Sequence, residues 1–567
     1  MSWLHVSRYE VLWLALSAVI GPFAIAFLLS ILPQPFTLRS LVRPVLILAT
    51  EPAFYLLLLC GARITARALS SNSQDVGAKR RILIVGAGAA ARALAFQIQE
   101  QESPYHIVGM LDDNVRFHGR RLRGLRVLGA TTELPRLAGE MSVQEIVIAI
   151  PSLGPERLRE ILAICEPLGM PVRILPPLRE MMGERKKGKV DPAALREVRM
   201  EDLLPRPEVM PDHAATARYL GKKVVLVTGG GGSIGGELCR QVVAAGAERL
   251  LVLGRGENSV FEMVQELCEN CGSCQIVPVI CDVRDRPALE RIFARYKPGV
   301  VFHAAAHKHV PMMEQYPSEA IKNNVIGTLN VVQLSLEHKV ESFVMVSTDK
   351  AVEPCNVMGA SKRICEMIVK GYAAQSHANM VCVRFGNVLG SRGSVVPTMR
   401  SQIRRRLPVT VTDPDMVRFF MTIPEAVQLI LQAGAIGGCG EVFVLDMGRP
   451  VRILDLAHDL IRLSGLIPDQ DIPVHIIGRR PGEKMHEDIL TTAEAEHAEK
   501  NGPFYMAAPQ NIELPDLLQK VERLRVAGER GEDSHIPDLI REVIPEFCPP
   551  AISSVAQNGQ APTAATV

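Results

Sequence analysis

Residues 347–350 of this 567-residue chain read Ser, Thr, Asp, Lys, directly after the apolar run SFVMV. A hydroxyl, a carboxylate and an amine within one turn, at the carboxyl end of a strand, are groups that can move protons to and from a small substrate. Asp349 and Lys350 can divide acid and base roles if burial and mutual charge bring their pKa values toward neutrality. A solvated surface Asp and Lys pair would read the same way. A second constellation stands upstream, where Thr228, Gly229, Gly232 and Gly235 make TGxxGxxG between an apolar strand and a helix. Such glycines let the backbone approach a pyrophosphate, and the helix N-terminus that follows offers amide donors. A dinucleotide is the expected ligand. Nineteen residues past Gly235, where an acid would grip the ribose hydroxyls, stand Gly254 and Arg255. A cation there suits the 2′-phosphate of NADP and prefers it over NAD, although Arg255 also reads as an ordinary solvated arginine.

These groups need a frame that fixes them to the edge of a sheet. From Lys222 the runs KVVLVTG, LLVLG, IVPVICDVRD, VVFHAAAH, SFVMVSTDK and VCVRFGNVLG alternate with helix-like sequence, the pattern of a doubly wound parallel sheet over 221–545. A smaller Rossmann-like domain is expected over 79–180, where RILIV leads into Gly86, Gly88 and Ala91, and HIVGMLDD ends on Asp112 and Asp113. Glycine turns of that kind also serve plain βαβ packing, so ligand binding there is open. Residues 181–220 read as a linker packed across the two domains, and 546–567 as a disordered tail.

The N-terminus has a different character. Residues 11–33 carry no charge and are long enough to cross hydrocarbon, and the shorter run 44–60 contains one, Glu51. The expectation is a transmembrane helical hairpin over 1–78. The basic residues Arg63, Arg67, Lys79, Arg80 and Arg81 then put the rest in the cytoplasm as a multi-pass protein of the bacterial inner membrane, with membrane lipid as a partner. The fold class is therefore α/β, two Rossmann-like doubly wound parallel-sheet domains preceded by that hairpin. A formal net charge of +2 gives no nucleic-acid footprint. Cys268, Cys271 and Cys274 make CxxCxxC, with Cys281 beyond, but no second CxxC or His pair completes a metal site. His303, His307 and His309 follow a strand whose usual neighbours are cofactor and substrate, so no metal is expected there either.

Beyond the glycine loop, the segments HAAAHKHVPMMEQYPSEAIKNNVIGT (303–328), STDKAVEPCNVMGASKR (347–363) and RRPGEKMHE (479–487) resemble the membrane-bound nucleoside-diphosphate-sugar 4,6-dehydratases of polysaccharide biosynthesis, within the extended short-chain dehydrogenases. The resemblance runs to about residue 500. It implies a 4,6-dehydration with a recycled nicotinamide cofactor, a nucleotide-sugar substrate and a homo-oligomer. Short-chain dehydrogenases pair a Tyr with a Lys one helical turn on; here Met358 and Lys362 occupy those positions, a Met that the large dehydratases share. By the same resemblance Asp349 assists departure of water, Lys350 acts at C5, Thr348 bonds the C4 oxygen and Lys362 holds the cofactor ribose. Ser233, Ile234, Asp282, Val283, Ala304 and Ala305 complete the cofactor set, while Lys308, Asn387, Arg418, Arg480 and Glu483 are assigned to substrate, with orientation of Arg480 as the other role open to Glu483. Two other functions share these features: a nucleotide-sugar 4-epimerase, and a non-catalytic dinucleotide sensor or scaffold, for which Met358 is the best argument.

Overall fold

The computed structural model describes residues 79–100, 103–176, 191–204, 213–269, 272–438, 440–507 and 512–548. The chain divides into two compact units, 1–81 with 98–106, and 82–97 with 107–567. In the first unit the described residues include the Arg80 amide, which donates to the Pro104 carbonyl at 2.8 Å.

The second unit contains most of two sheets. The first has seven strands: β1 (Arg80–Val85), β2 (Tyr105–Leu111), β3 (Arg121–Leu122), β4 (Leu125–Gly129), β5 (Glu145–Ile148), β6 (Val172–Ile174) and β7 (Arg196–Glu197), in the order β3-β4-β2-β1-β5-β6-β7. The pairs β2–β4, β1–β5 and β5–β6 are parallel, and β3 and β7 close the edges antiparallel. Of the segment read as a linker, β7 is thus a strand of this sheet.

The larger sheet orders β10-β9-β8-β11-β12-β13-β18-β22-β21. Its strands are β8 (Val224–Thr228), β9 (Arg249–Gly254), β10 (Gln275–Ile280), β11 (Val300–His303), β12 (Ser342–Val346), β13 (Asn379–Arg384), β18 (Val442–Leu445), β21 (Glu499–Asn501) and β22 (Phe504–Ala507). All pairings from β10 to β18 are parallel; β22 and β21 add an antiparallel edge. The central strands are buried on both faces, as their unbroken apolar runs require. Three small pairs build a lobe beyond the carboxyl edge: β14 (Asn387–Val388) with β17 (Phe420–Met421), β15 (Val409–Val411) with β20 (Val474–Ile476), and β16 (Val417–Arg418) with β19 (Val451–Arg452).

Helices α1 (Pro155–Cys165) and α4 (Ile453–Leu463) join the first sheet to this lobe. Leu158 and Ile161 of α1 share one apolar cluster with Leu456, Leu460 and Ile461 of α4. Arg159 Nε meets Asp459 Oδ2 at 2.8 Å beside them. On the other flank, α5 (Leu514–Arg530) and α6 (Ile536–Val543) cover α3 (Val357–Ala373), with Leu517, Val521, Leu524 and Ile540 in the cluster that holds Met358 and Ile364. Phe547 belongs to it and is 3% exposed, so packing reaches past residue 545.

The expected transmembrane hairpin requires correction, and with it the multi-pass inner-membrane location. Among the described residues no helix is long and apolar enough to cross a membrane. Helices α3 and α5 have 17 residues each and carry charge, short of the ~20 apolar residues a span needs. The runs 11–33 and 44–60 lie outside the described residues.

Candidate active site

The glycine loop is shaped by what a side chain would strike. Gly229 has φ +70°, and a Cβ there would lie 2.8 Å from the Ala305 amide nitrogen; at Gly235 it would lie 2.1 Å from the Gly229 carbonyl oxygen. Gly232 donates its amide to that oxygen at 2.8 Å and caps α2 (Ser233–Ala244). Bare backbone at a helix N-terminus fits a pyrophosphate. Thr228 is anchored from below. Its Oγ1 lies 2.8 Å from His303 Nδ1, and His303 Nε2 lies 2.9 Å from Thr328 Oγ1. Burial, aided by the charge of Lys362, pushes His303 down to about 3, so the ring is a neutral clamp between two threonines.

The other cofactor candidates gather around this loop. Ala304 donates its amide to the Thr228 carbonyl at 3.1 Å, and Ala305 to Thr228 Oγ1 at 3.4 Å. Ser233 Oγ accepts the Arg392 amide at 3.1 Å, which brings the segment after β14 over the helix start. Ile234 is half-buried, and Val283 is buried against Gly327. Arg255 is exposed just past β9, without a hydrogen bond or ion pair among the described residues. Asp282 is engaged: Arg284 reaches its two oxygens at 3.0 and 2.7 Å. Partial burial opposes the Asp282 charge, but Arg284 outweighs it and holds the carboxyl below its usual range.

At the end of β12 the acid–base cluster is compact. Asp349 Oδ1 accepts from Thr348 Oγ1 at 2.8 Å and from Lys350 Nζ at 3.0 Å. Asp349 is 1% exposed, and its Oδ2 is buried without a hydrogen-bond partner, facing Gly386 where a Cβ would come within 3.2 Å. A buried carboxylate oxygen left open beside a lysine is an acceptor awaiting a donor. Lys350 departs from expectation. Burial alone would lower its proton affinity, but Asp349 and then Glu487 outweigh burial and raise it, so the side chain rests as an ammonium rather than leaning toward neutrality.

Helix α3 sets the other wall. Asn356 caps it by accepting the Gly359 amide at 2.7 Å, and the Glu314 carboxylate accepts the Val357 amide at 2.6 Å. Gly359 must lack a side chain: a Cβ would sit 2.1 Å from the Lys350 carbonyl oxygen. The 348–350 turn and the helix touch through bare backbone. Met358 is 3% exposed and packs in the apolar cluster, whereas Lys362, 5% exposed, has no hydrogen-bond or ion-pair partner among the described residues. A buried, unpartnered cation near a glycine cradle fits the ribose and phosphates of a dinucleotide.

The substrate candidates divide into two groups. Asn387 Oδ1 lies 3.5 Å from Lys350 Nζ, and Lys308 Nζ 3.3 Å from Ser391 Oγ, both near the catalytic edge. Arg418 instead spends its guanidinium on the carbonyls of Val417, Met485 and Lys484 at 2.7, 3.1 and 2.8 Å, fastening the loop that follows β20. Glu483 accepts the backbone amide of Arg480 at 3.1 Å, leaving the exposed Arg480 side chain unconstrained by it.

Several functional supports escape a reading of motifs. Arg384 is fully buried, bound to Glu366 at 2.7 and 2.6 Å and to Glu494 at 2.7 and 3.1 Å, and Ser347 Oγ donates to Glu366 at 2.7 Å. Asn324, in a π-helical turn (Ile321–Ile326), bonds both the main chain of His307 and Ser361. Such turns recur at functional sites. Glu487 stands inside the RRPGEKMHE segment, yet only its place beside Lys350 singles it out. Among the described residues no group of His, Cys, Asp and Glu is arranged to hold a metal ion, and Cys271 lies outside them.

Residues 225–509 match a family described as polysaccharide biosynthesis protein, and residues 1–176 one described as CoA-binding domain. The chain is 44% identical over 445 residues to the capsular polysaccharide biosynthesis protein CapD of Staphylococcus aureus, covering 78% of this chain and 74% of that one. It is also 44% identical over 472 residues to the probable polysaccharide biosynthesis protein EpsC of Bacillus subtilis, covering 82% and 78%. A UDP-glucose 4-epimerase of Rickettsia rickettsii is 34% identical over 290 residues, 50% of this chain and 82% of that one.

Proposed function

Because the chain belongs to the polysaccharide biosynthesis protein family, we propose that it is a nucleotide-sugar 4,6-dehydratase, converting UDP-N-acetylglucosamine or a related UDP-sugar to its 4-keto-6-deoxy form. The carrying observation is the cluster of Thr348, Asp349 and Lys350, a hydroxyl, an acid and an amine joined at 2.8 and 3.0 Å. A nicotinamide dinucleotide held by the 228–235 loop would supply a hydride acceptor at C4 and the hydride donor at C6. NADP is preferred to NAD because the exposed, unpaired Arg255 can meet a 2′-phosphate.

The chain's own residues then manage the protons. Thr348 Oγ1 bonds the C4 oxygen and relays the hydroxyl proton to Asp349 Oδ1. Asp349 passes that proton to the C6 hydroxyl, which leaves as water. Lys350, in its neutral form, takes the C5 proton, exchanges it with solvent as an ammonium, and returns a solvent-derived proton to C5. The balance closes: water carries away the C6 oxygen and the proton released at C4. Since Lys350 rests as an ammonium, kcat should rise with pH as its neutral fraction grows. Asn387, Lys308 and Arg480 are left to meet the sugar and diphosphate, with Arg418 and Glu483 shaping the loop around them.

The test is incubation of the purified full chain with UDP-N-acetylglucosamine and other UDP-sugars in deuterated water. A product lighter by one water with deuterium at C5 is expected, and Lys350→Ala should abolish it. Unchanged substrate with every sugar despite tight cofactor binding would leave the sensor reading standing in its place. A product of unchanged mass would instead favour a 4-epimerase, the second reading, which the similarity to the Rickettsia epimerase supports.

A further inference from the structure

The loop that carries Arg480 and Glu483 ends on a carboxylate that no step of the dehydration uses. Glu487 is 6% exposed. Its Oε1 stands 3.8 Å from Lys350 Nζ and 3.9 Å from Arg418 Nη2. Lys350 therefore faces Asp349 from its own turn, Asn387 from β14, Arg418 from β16 and Glu487 from the loop, and Glu487 in turn feels Asp349, Arg418 and Lys484. Two carboxylates bracket one amine. Only Asp349 is next to it in sequence; Glu487 arrives from a segment whose position depends on Arg418, through the carbonyls of Lys484 and Met485. The loop carries its own tether to the catalytic helix, because Asn356 Nδ2 donates to the Gly482 carbonyl at 3.0 Å and Lys484 Nζ to that of Val352 at 3.1 Å.

We propose that Glu487 is a positioning residue that acts through Lys350, holding the amine between two carboxylates and tying its protonation to the seating of the 479–487 loop. The proposal rests on the dehydratase reading for its kinetic consequence, but not for its electrostatic one. A negative charge in low-dielectric surroundings favours the ammonium, so removing it should lower the proton affinity of Lys350. Arg418 works in the opposite sense, and its fixed bonds to the loop keep its distance to Glu487 constant. Burial likewise raises the proton affinity of Glu487, against the pull of Lys350 and Arg418. A seated loop thus stores the proton on the pair, and an unseated loop frees the amine.

The experiment compares the full chain with Glu487→Gln and Glu487→Asp. Trace acetylation of Lys350 with acetic anhydride, read by peptide mass across a pH series without any sugar, reports the neutral amine directly. In Glu487→Gln the midpoint should fall by about one pH unit, ~10-fold more neutral amine at a fixed pH below it. The ascending limb of kcat for UDP-N-acetylglucosamine should move the same way with KM little changed, and Glu487→Asp should lie between. An acetylation midpoint that stays put in Glu487→Gln would overturn the proposal, as would a loss of kcat with no shift of the limb, the mark of a merely structural side chain. If Glu487→Gln does not fold, Glu487→Asp must still show a smaller downward shift, and no shift there overturns the proposal equally. A shifted midpoint in a chain that turns over no sugar leaves the positioning role intact and removes the dehydratase reading alone.

Discussion

Thr348, Asp349 and Lys350 are legible in sequence because charge at the carboxyl edge of a parallel strand is seldom decorative. The protonation of Lys350 is only partly so, because beside Asp349 it depends on burial and on Glu487, a residue distant in the chain that only folding brings within 3.8 Å. Asp282 teaches the same lesson in reverse: its place at the end of β10 is readable, whereas its capture by Arg284 is a matter of rotamers. Arg255 makes no hydrogen bond or ion pair among the described residues, although its charge reaches Asp282. Arg255→Ala should weaken NADP relative to NAD by roughly tenfold, the worth of about one charge-assisted hydrogen bond, as measured by titrating each dinucleotide against protein fluorescence. Equal affinity ratios in the two proteins would remove the NADP preference.

At the scale of elements, the long apolar strands and the glycine loop announce themselves, since each needs an unbroken run or a fixed spacing. The pairs β14–β17, β15–β20 and β16–β19 do not, because segments of two or three residues carry no periodicity. The helices α5 and α6 show apolar spacing, yet nothing local tells that they cover α3. An exacting contact between elements is that of Gly359 with the Lys350 carbonyl. Gly359→Ala should push α3 away from the catalytic turn, costing ~1–3 kcal/mol of stability as overpacked sites do and disproportionately more activity. Chemical denaturation and kcat together check this; a variant with normal kcat would show that the turn tolerates the displacement.

Across the whole molecule, the first sheet is fastened to the substrate-side lobe through α1 and α4, so that sheet and the lobe share one apolar cluster. The segment read as a linker hides this, because its described part is short of both charge pattern and length to declare a strand. The larger sheet has its own fastener, Arg384, which joins β13 to α3 through Glu366 and to the segment before β21 through Glu494. Removing one partner of a buried pair strands the other charge, so Glu494→Ala should cost ~3–5 kcal/mol, read as a lower denaturant midpoint. A midpoint within error of the parent would mean that Glu366 alone satisfies the guanidinium.

Arg384 and Glu494 are 110 residues apart in sequence. A ribosome delivers them in that order, so β13 leaves the exit tunnel with a guanidinium that has only part of its final shell. Until Glu494 follows, closing the sheet over Arg384 means sealing an under-compensated charge, together with Arg363 and Lys370, away from water. The electrostatic closure of the larger sheet therefore rests on a carboxylate made 110 residues after the guanidinium it completes.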